Sequence, residues 1–281
     1  MRLDSLHCLA IAAAALSTCL AQLATAGQLP PTFVSTYRPA VERLKAAYTK
    51  VSVEGTLSVD VPGEDKSSQQ SFTFRASGDQ RRLDVTTTAQ QGMGLEVGAS
   101  EMNMATPIGS LNTYKKAGSD FFDNARERKY AGVVEGIDRR SLMNLPYAFD
   151  SSGTILDMLL RSSVKVGSVK WIRTRGEPLV QITYQEAARH AGQSGVWNST
   201  LTLSPQDGWA LRSFTRTLFG SRPYTQTGQI EYATGADGIP LVQAITIETT
   251  EGTRVIRREA ISVSDIRFGD PGQGWFDSFS F

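Results

Sequence analysis

From Val51 the chain alternates: Val51, Val53, Leu57, Val59 and Val61 are separated by Ser52, Glu54, Thr56, Ser58 and Asp60. A period of two is the spacing of a strand with one face on a core and the other in water. Pro62-Gly63-Glu64-Asp65 then reads as a turn, Phe72 and Phe74 carry the next strand, and Gly78-Asp79 turns into a third that begins at Leu83 and Val85. Further strands are predicted from Glu96 to Ala105 and from Leu111 to Lys115, which completes a meander of antiparallel hairpins.

Upstream, the period is different. Phe33, Tyr37, Val41, Leu44 and Tyr48 recur at spacings of three and four, with Arg38, Glu42, Arg43, Lys45 and Lys50 elsewhere, which predicts one amphipathic helix after Pro30-Pro31. Pro39 marks its first turn or a kink within it. Downstream, residues 119 to 163 break the strand rhythm. Phe121, Phe122, Ala125 and Lys129 suggest a short helix, and Ser152 is placed to cap a second that contains Ile155, Leu156, Leu159 and Leu160.

Strands then resume at Val164 to Arg175, Leu179 to Tyr184, Val196 to Leu203, Trp209 to Phe219, Gln226 to Ala233, Leu241 to Thr249 and Arg254 to Phe268. Turn signals separate them, notably Ser204-Pro205-Gln206-Asp207-Gly208 and Gly235-Ala236-Asp237-Gly238. The order of helix, strands, helical insertion and strands predicts an α+β fold built on one large antiparallel sheet.

The first residues bear on where this domain works. Arg2, an apolar run from Cys8 to Leu20 and the small-x-small site Ala24-Thr25-Ala26 form a secretory signal, too short for a membrane span. Residues 1–26 are therefore read as a signal peptide cleaved after Ala26, and 27–281 as a single domain released to the periplasm or the exterior. Leu16-Ser17-Thr18-Cys19 is a near-lipobox, the basis of a less favoured alternative with a lipid anchor on Cys19. Both cysteines lie in the signal, so the remaining chain holds no disulfide and depends on its core. The formal charge of +1 argues against nucleic acid as a partner.

Candidate chemistry is sparse. His190 is the only histidine beyond the signal and falls in Ala187-Ala188-Arg189-His190-Ala191-Gly192-Gln193, which reads as a polar hairpin loop. No serine has a nucleophile-elbow context, and one histidine cannot make a histidine-based metal site, so no cofactor or metal is expected. Glu96 with Glu101, or Glu231 with Glu248, could pair as in glycoside hydrolysis, but they read as solvated positions on strands. The ending Gly274-Trp275-Phe276-Asp277-Ser278-Phe279-Ser280-Phe281 has the alternating aromatics of an outer-membrane barrel. Lys165, Lys170 and Arg173 fall on both faces of one strand, however, and neither face could meet lipid cheaply.

The signal, amphipathic helix, first meander, helical insertion and second meander together resemble the LolA-like lipoprotein-carrier half-barrel family. Leu201-Thr202-Leu203-Ser204-Pro205-Gln206-Asp207-Gly208-Trp209 is similar to that family's strand, turn and strand step, and Gln229-Ile230-Glu231-Tyr232 with Gly238-Ile239-Pro240 is similar to its next two strands. The resemblance implies an incomplete β-barrel around an apolar cavity, a short helical lid at about residues 119–163, and non-catalytic binding of an acyl chain, lipid or lipidated protein. Val51 to Val61 lacks the arginine with which dedicated carriers latch the lid, and no binding residue is carried over.

The chain's own residues suggest where such a lid lies. Beyond the signal, its methionines, Met93, Met102, Met104, Met143 and Met158, all fall between residues 93 and 158, and flexible thioethers suit surfaces that repack around apolar ligands. Met102, Met104, Phe121, Phe122, Leu156, Met158 and Leu159 are the expected apolar lid and cavity residues of a monomeric binding protein. An envelope interaction or sensor domain on the same scaffold is the second reading, and a hydrolase with paired carboxylates the third.

Overall fold

The computed structural model describes residues 29–106, 109–119, 123–124, 143–149, 153–190, 193–219, 223–235 and 237–276. Helix α1 (Pro31–Tyr48) carries Pro39 inside it and buries the five residues that its periodicity singled out, Phe33, Tyr37, Val41, Leu44 and Tyr48. It leads into a first meander of β1 (Lys50–Val61), β2 (Lys66–Ser77), β3 (Gln80–Gln91), β4 (Ser100–Thr106), β5 (Gly109–Lys115) and β6 (Asp123–Asn124). Helix α2 (Ile155–Leu159) precedes a second meander of β7 (Val164–Thr174), β8 (Glu177–His190), β9 (Gln193–Ser204), β10 (Ala210–Leu218), β11 (Tyr224–Thr234), β12 (Pro240–Glu251) and β13 (Arg254–Phe268).

All thirteen strands form one sheet in the order β6-β5-β4-β3-β2-β1-β13-β12-β11-β10-β9-β8-β7. Each meander starts or ends at the middle, where β1 pairs with β13, and the edges are β6 and β7. The result is an α+β fold with a curved, incompletely closed antiparallel sheet. Six of the pairings carry register shifts, such as those at Glu54/Gly55, Gln69/Gln70 and Thr249/Thr250. A bulge of this kind bends a strand and increases its twist.

Alternation decides the two faces. The inner face carries Val51, Val53, Leu57 and Val59 of β1, and their partners across the sheet include Phe74, Ile261, Ile245, Ile230, Phe214, Leu201 and Ile182. Helix α1, residues Met143 to Phe149 and α2 pack on it in one apolar core. The outer face is rich in serine, threonine, glutamine and charged residues, for example Thr200, Thr215, Thr227 and Thr246.

Several sequence expectations differ in detail. Asp123–Asn124 pair with Tyr114 and Thr113 as a strand, where a helix was expected; Phe121, Phe122, Ala125 and Lys129 lie outside the described residues. Helix α2 is capped by Thr154, not Ser152: Thr154 Oγ1 accepts the Asp157 N–H at 3.1 Å, and the Asp157 carboxylate accepts the Thr154 N–H at 2.9 Å. This reciprocal arrangement satisfies two backbone donors that the helix leaves open. Strand β8 runs through to His190, which pairs with Gln193, so the connection expected to be a polar loop from Ala187 is largely ladder.

Candidate ligand-binding site

The apolar packing does not cover the whole inner face. On β2 the inward positions read Phe74, Phe72, Gln70, Ser68 and Lys66, a switch from aromatic to polar within one strand. The inward side of β13 changes likewise, from Ile261 to Glu259 and Arg257. The α1 end of the inner face is therefore a core, and the opposite end is polar yet substantially buried.

At that polar end lies a cavity of about 530 Å³, within the ~300–1,000 Å³ range of small-molecule sites. Its buried lining residues include Gln70, Val85, Thr87 and Ala99, with Arg257 half-buried beside them and Met93, Leu95 and Ile256 as apolar flanks. Glu64, Lys66, Glu96, Glu101, Glu251 and Arg254 bring charge to the lining, and Tyr114 reaches it from β5.

Three connecting segments build this mouth. The β1–β2 turn carries Gly63 at φ +85°, a conformation that a side chain resists. A Cβ on Gly92 would meet Lys66 Cγ at 3.1 Å and the Asp65 carbonyl at 3.2 Å, so the loop after β3 is seated directly on that turn. The loop then returns to β3, where Gly98 donates to the Thr87 carbonyl at 2.8 Å and Thr87 donates to that of Ala99 at 3.0 Å. The β12–β13 turn closes the other side through Glu251 and Arg254.

The polar groups are organised. Lys66 Nζ donates to Glu64 at 2.7 Å, and this hydrogen-bonded ammonium holds the exposed Glu64 carboxyl below its usual range. The Tyr114 hydroxyl donates to Glu96 at 3.5 Å, and Asn103 Nδ2 donates to Glu101 at 3.1 Å. Deeper, Arg257 donates to Glu259 at 2.6 Å, with only 11% and 3% of their side chains exposed. Taking both charges out of water costs more than a surface pair would return, so this pair is weak evidence for a stabilising role. On the row that includes Arg257 follow Thr249, Gln226 and Arg216, the last stacked 3.9 Å over the Trp197 ring. Ser68 Oγ, Gln226 Oε1 and Glu259 Oε2 are buried without a hydrogen-bond partner. Such atoms are uncommon in a packed interior.

The expected lid residues are distributed over two places. Leu156, Met158 and Leu159 sit together on α2, buried in the main core, and the Tyr184 hydroxyl approaches Met158 Sδ at 3.8 Å. Met102 and Met104 are also buried, but register puts them opposite Asp84 and Arg82, on the outer face. Phe121 and Phe122 lie outside the described residues. Of the methionines, Met93 lines the cavity. Glu96 and Glu101 both line it too, with Glu96 in the loop before β4 rather than on a strand. Glu231 and Glu248 belong to the outer face, where Glu248 accepts from Arg258 at 2.9 Å. Among the described residues no three His, Cys, Asp or Glu side chains are grouped to hold a metal ion.

No protein-family model matches the chain, and no curated protein matches its sequence. Solved structures do resemble it. A DUF1329 family protein from Desulfovibrio piger ATCC 29098 matches with a TM-score of 0.52 at 10% identity, over 87% of this chain and 96% of that one. A LolA superfamily protein from Nitrosomonas europaea gives 0.48 at 9% identity, over 86% of this chain and 97% of that one. At 10% identity the first likeness is one of fold, and it extends over nearly the whole of both chains. The open half-barrel expected from the LolA-like resemblance is the fold observed here.

Proposed function

We propose that this chain is an exported, non-catalytic binding protein for an amphipathic, lipid-like ligand, held at the polar end of the half-barrel. The observation that carries the reading is the composition of the cavity wall. Val85, Met93, Leu95, Ala99 and Ile256 offer an apolar surface, while Lys66, Arg254 and Arg257 stand beside it with Glu64, Glu96, Glu101 and Glu251. A purely apolar ligand would displace water from these charged groups and offer no hydrogen bonds in return, at a cost that grows with burial. A ligand with a chain and a polar head matches both. Export is supported by the Ala24-Thr25-Ala26 site, from which a mature N-terminus at Gly27 follows.

The reading places the ligand on the inner face, so substitutions on the two faces separate it from general destabilisation. Ala99→Phe puts a ring into the cavity and is expected to abolish saturable binding of a fluorescent fatty acid. The outer-face double change Met102→Ser with Met104→Ser is expected to lower thermal stability and leave the affinity within about twofold. Mass spectrometry of organic extracts of the purified protein identifies the natural ligand. A wild-type titration without saturable acyl binding, together with extracts free of lipid, defeats the proposal in favour of an interaction or sensor role.

A further inference from the structure

A second site is built on the outer face, away from the cavity. Arg75 on β2 and Arg82 on β3 are direct cross-strand partners on that face. Like charges placed opposite one another are destabilising by themselves. Asp84 answers part of this repulsion: Arg82 Nε donates to both of its carboxylate oxygens at 2.9 Å, and Arg75 comes within 3.6 Å. The remainder is answered by the segment after β13. The Arg75 guanidinium lies 3.6 Å from the centroid of the Trp275 ring, and Arg82 donates from its second nitrogen to the Trp275 carbonyl at 3.0 Å.

The segment is anchored along its length. Gly269 donates to the Lys50 carbonyl at 2.8 Å, Ser77 donates to Asp270 at 3.2 Å, and Phe276 is buried. Met102 and Met104 are buried on the same outer face, and neither they nor Phe276 belong to the main core. Across β9 to β12 that face carries threonines and charged residues, such as Thr200, Thr215, Thr227 and Glu248. An arginine pair under a tryptophan ring, a backbone carbonyl held by guanidinium and a buried phenylalanine are the components of peptide recognition by aromatic anchors.

We infer that the outer face of β2–β4 is a binding site for an aromatic peptide segment, with the chain's own residues 269–276 as its resident occupant. The Trp275 ring covers the paired guanidiniums, its carbonyl fixes the register, and Phe276 supplies the buried anchor. Occupancy in cis closes the face, and displacement of the segment opens it to another segment of the same chemistry. The high effective concentration of a tethered segment keeps the face closed against a free competitor.

The test uses the full chain and a fluorescein-labelled peptide of residues 269–281, read by anisotropy. The unmodified chain should bind the peptide at least about tenfold more weakly than the Trp275→Ala, Phe276→Ala double variant, whose own segment no longer competes. Adding Arg75→Ala to that variant should remove saturable binding. Equal affinity for the unmodified chain and the double variant overturns the inference, as does no saturable binding to a double variant that retains a cooperative thermal transition. A double variant that fails to fold moves the decision to hydrogen exchange on the unmodified chain. There, excess unlabelled peptide should speed exchange across residues 269–276 while β2 and β3 stay protected; unchanged exchange in the segment overturns the inference.

Discussion

Tyr48, at the end of α1, joins the helix to the far side of the sheet through a single buried hydroxyl. It donates to the Pro240 carbonyl at 2.7 Å and accepts the Val242 N–H at 3.2 Å. Burial pushes this phenol far above its ordinary range, so it stays protonated at any pH that the fold tolerates. Tyr48→Phe keeps the ring and strands two backbone groups, and a loss of about 1–3 kcal/mol in urea unfolding is expected. The cap of α2 behaves differently because it carries charge. Burial alone would raise the Asp157 carboxyl, but the backbone and side-chain hydrogen bonds from Thr154 prevail and hold it below the usual value. A depressed folded pKa stabilises the fold above the unfolded value of about 3.9 and loses that contribution as pH falls through the folded value. Thr154→Ala should therefore cost about 1 kcal/mol at neutral pH. In parallel melts from pH 7 to pH 2.5, the gap between this variant and the wild type should narrow below pH 4.

Strand pairs are where the sheet acquires its curvature. Phe72 lies opposite Gly55, and Phe214 lies opposite Gly228, each aromatic ring occupying the space that a Cβ on its glycine would need. Glycine in a strand interior often marks such a close approach. Gly228→Ala is expected to displace the Phe214 ring and lower stability by about 1–3 kcal/mol, whereas Gly274→Ala, with open space around it, should be neutral. These pairings also explain what the sequence could reveal. Alternation in Val51 to Val61 and the three-four spacing of Phe33 to Tyr48 report local geometry, so both elements were legible. Strand β4 starts at Ser100 rather than near Glu96 because Gly98 and Ala99 fold back onto β3 through backbone hydrogen bonds that no period encodes. The T-x-x-D spacing of Thr154 and Asp157 carries the cap signal in the sequence itself, two residues beyond Ser152. The cavity itself draws on separate hairpins, and its polar inward row, Gln70, Ser68 and Lys66, becomes visible only once the register is known.

At the scale of the molecule, the sheet's two edges and its center have different origins. Neighbouring strands within each meander are close in sequence, but β1 and β13 meet across some two hundred residues, with Val51 paired to Phe268 and Asp60 to Arg258. While the chain emerges from its N-terminal end, β1 has β2 on one side and an open ladder on the other until Arg254–Phe268 arrives. Such an edge invites wrong pairing, and contacts of large sequence separation slow folding because loop closure precedes their reward. Refolding should thus be limited by the arrival of the last strand at the first. A circular permutant that begins at Ala131, joins Phe276 to Leu29 through a short linker and ends at Tyr130 keeps Met143 to Phe149 and α2 in the core and converts this remote pair into a near one. It should refold faster in stopped-flow experiments, and it should aggregate less on dilution from urea, because the seam that now forms last would then form early.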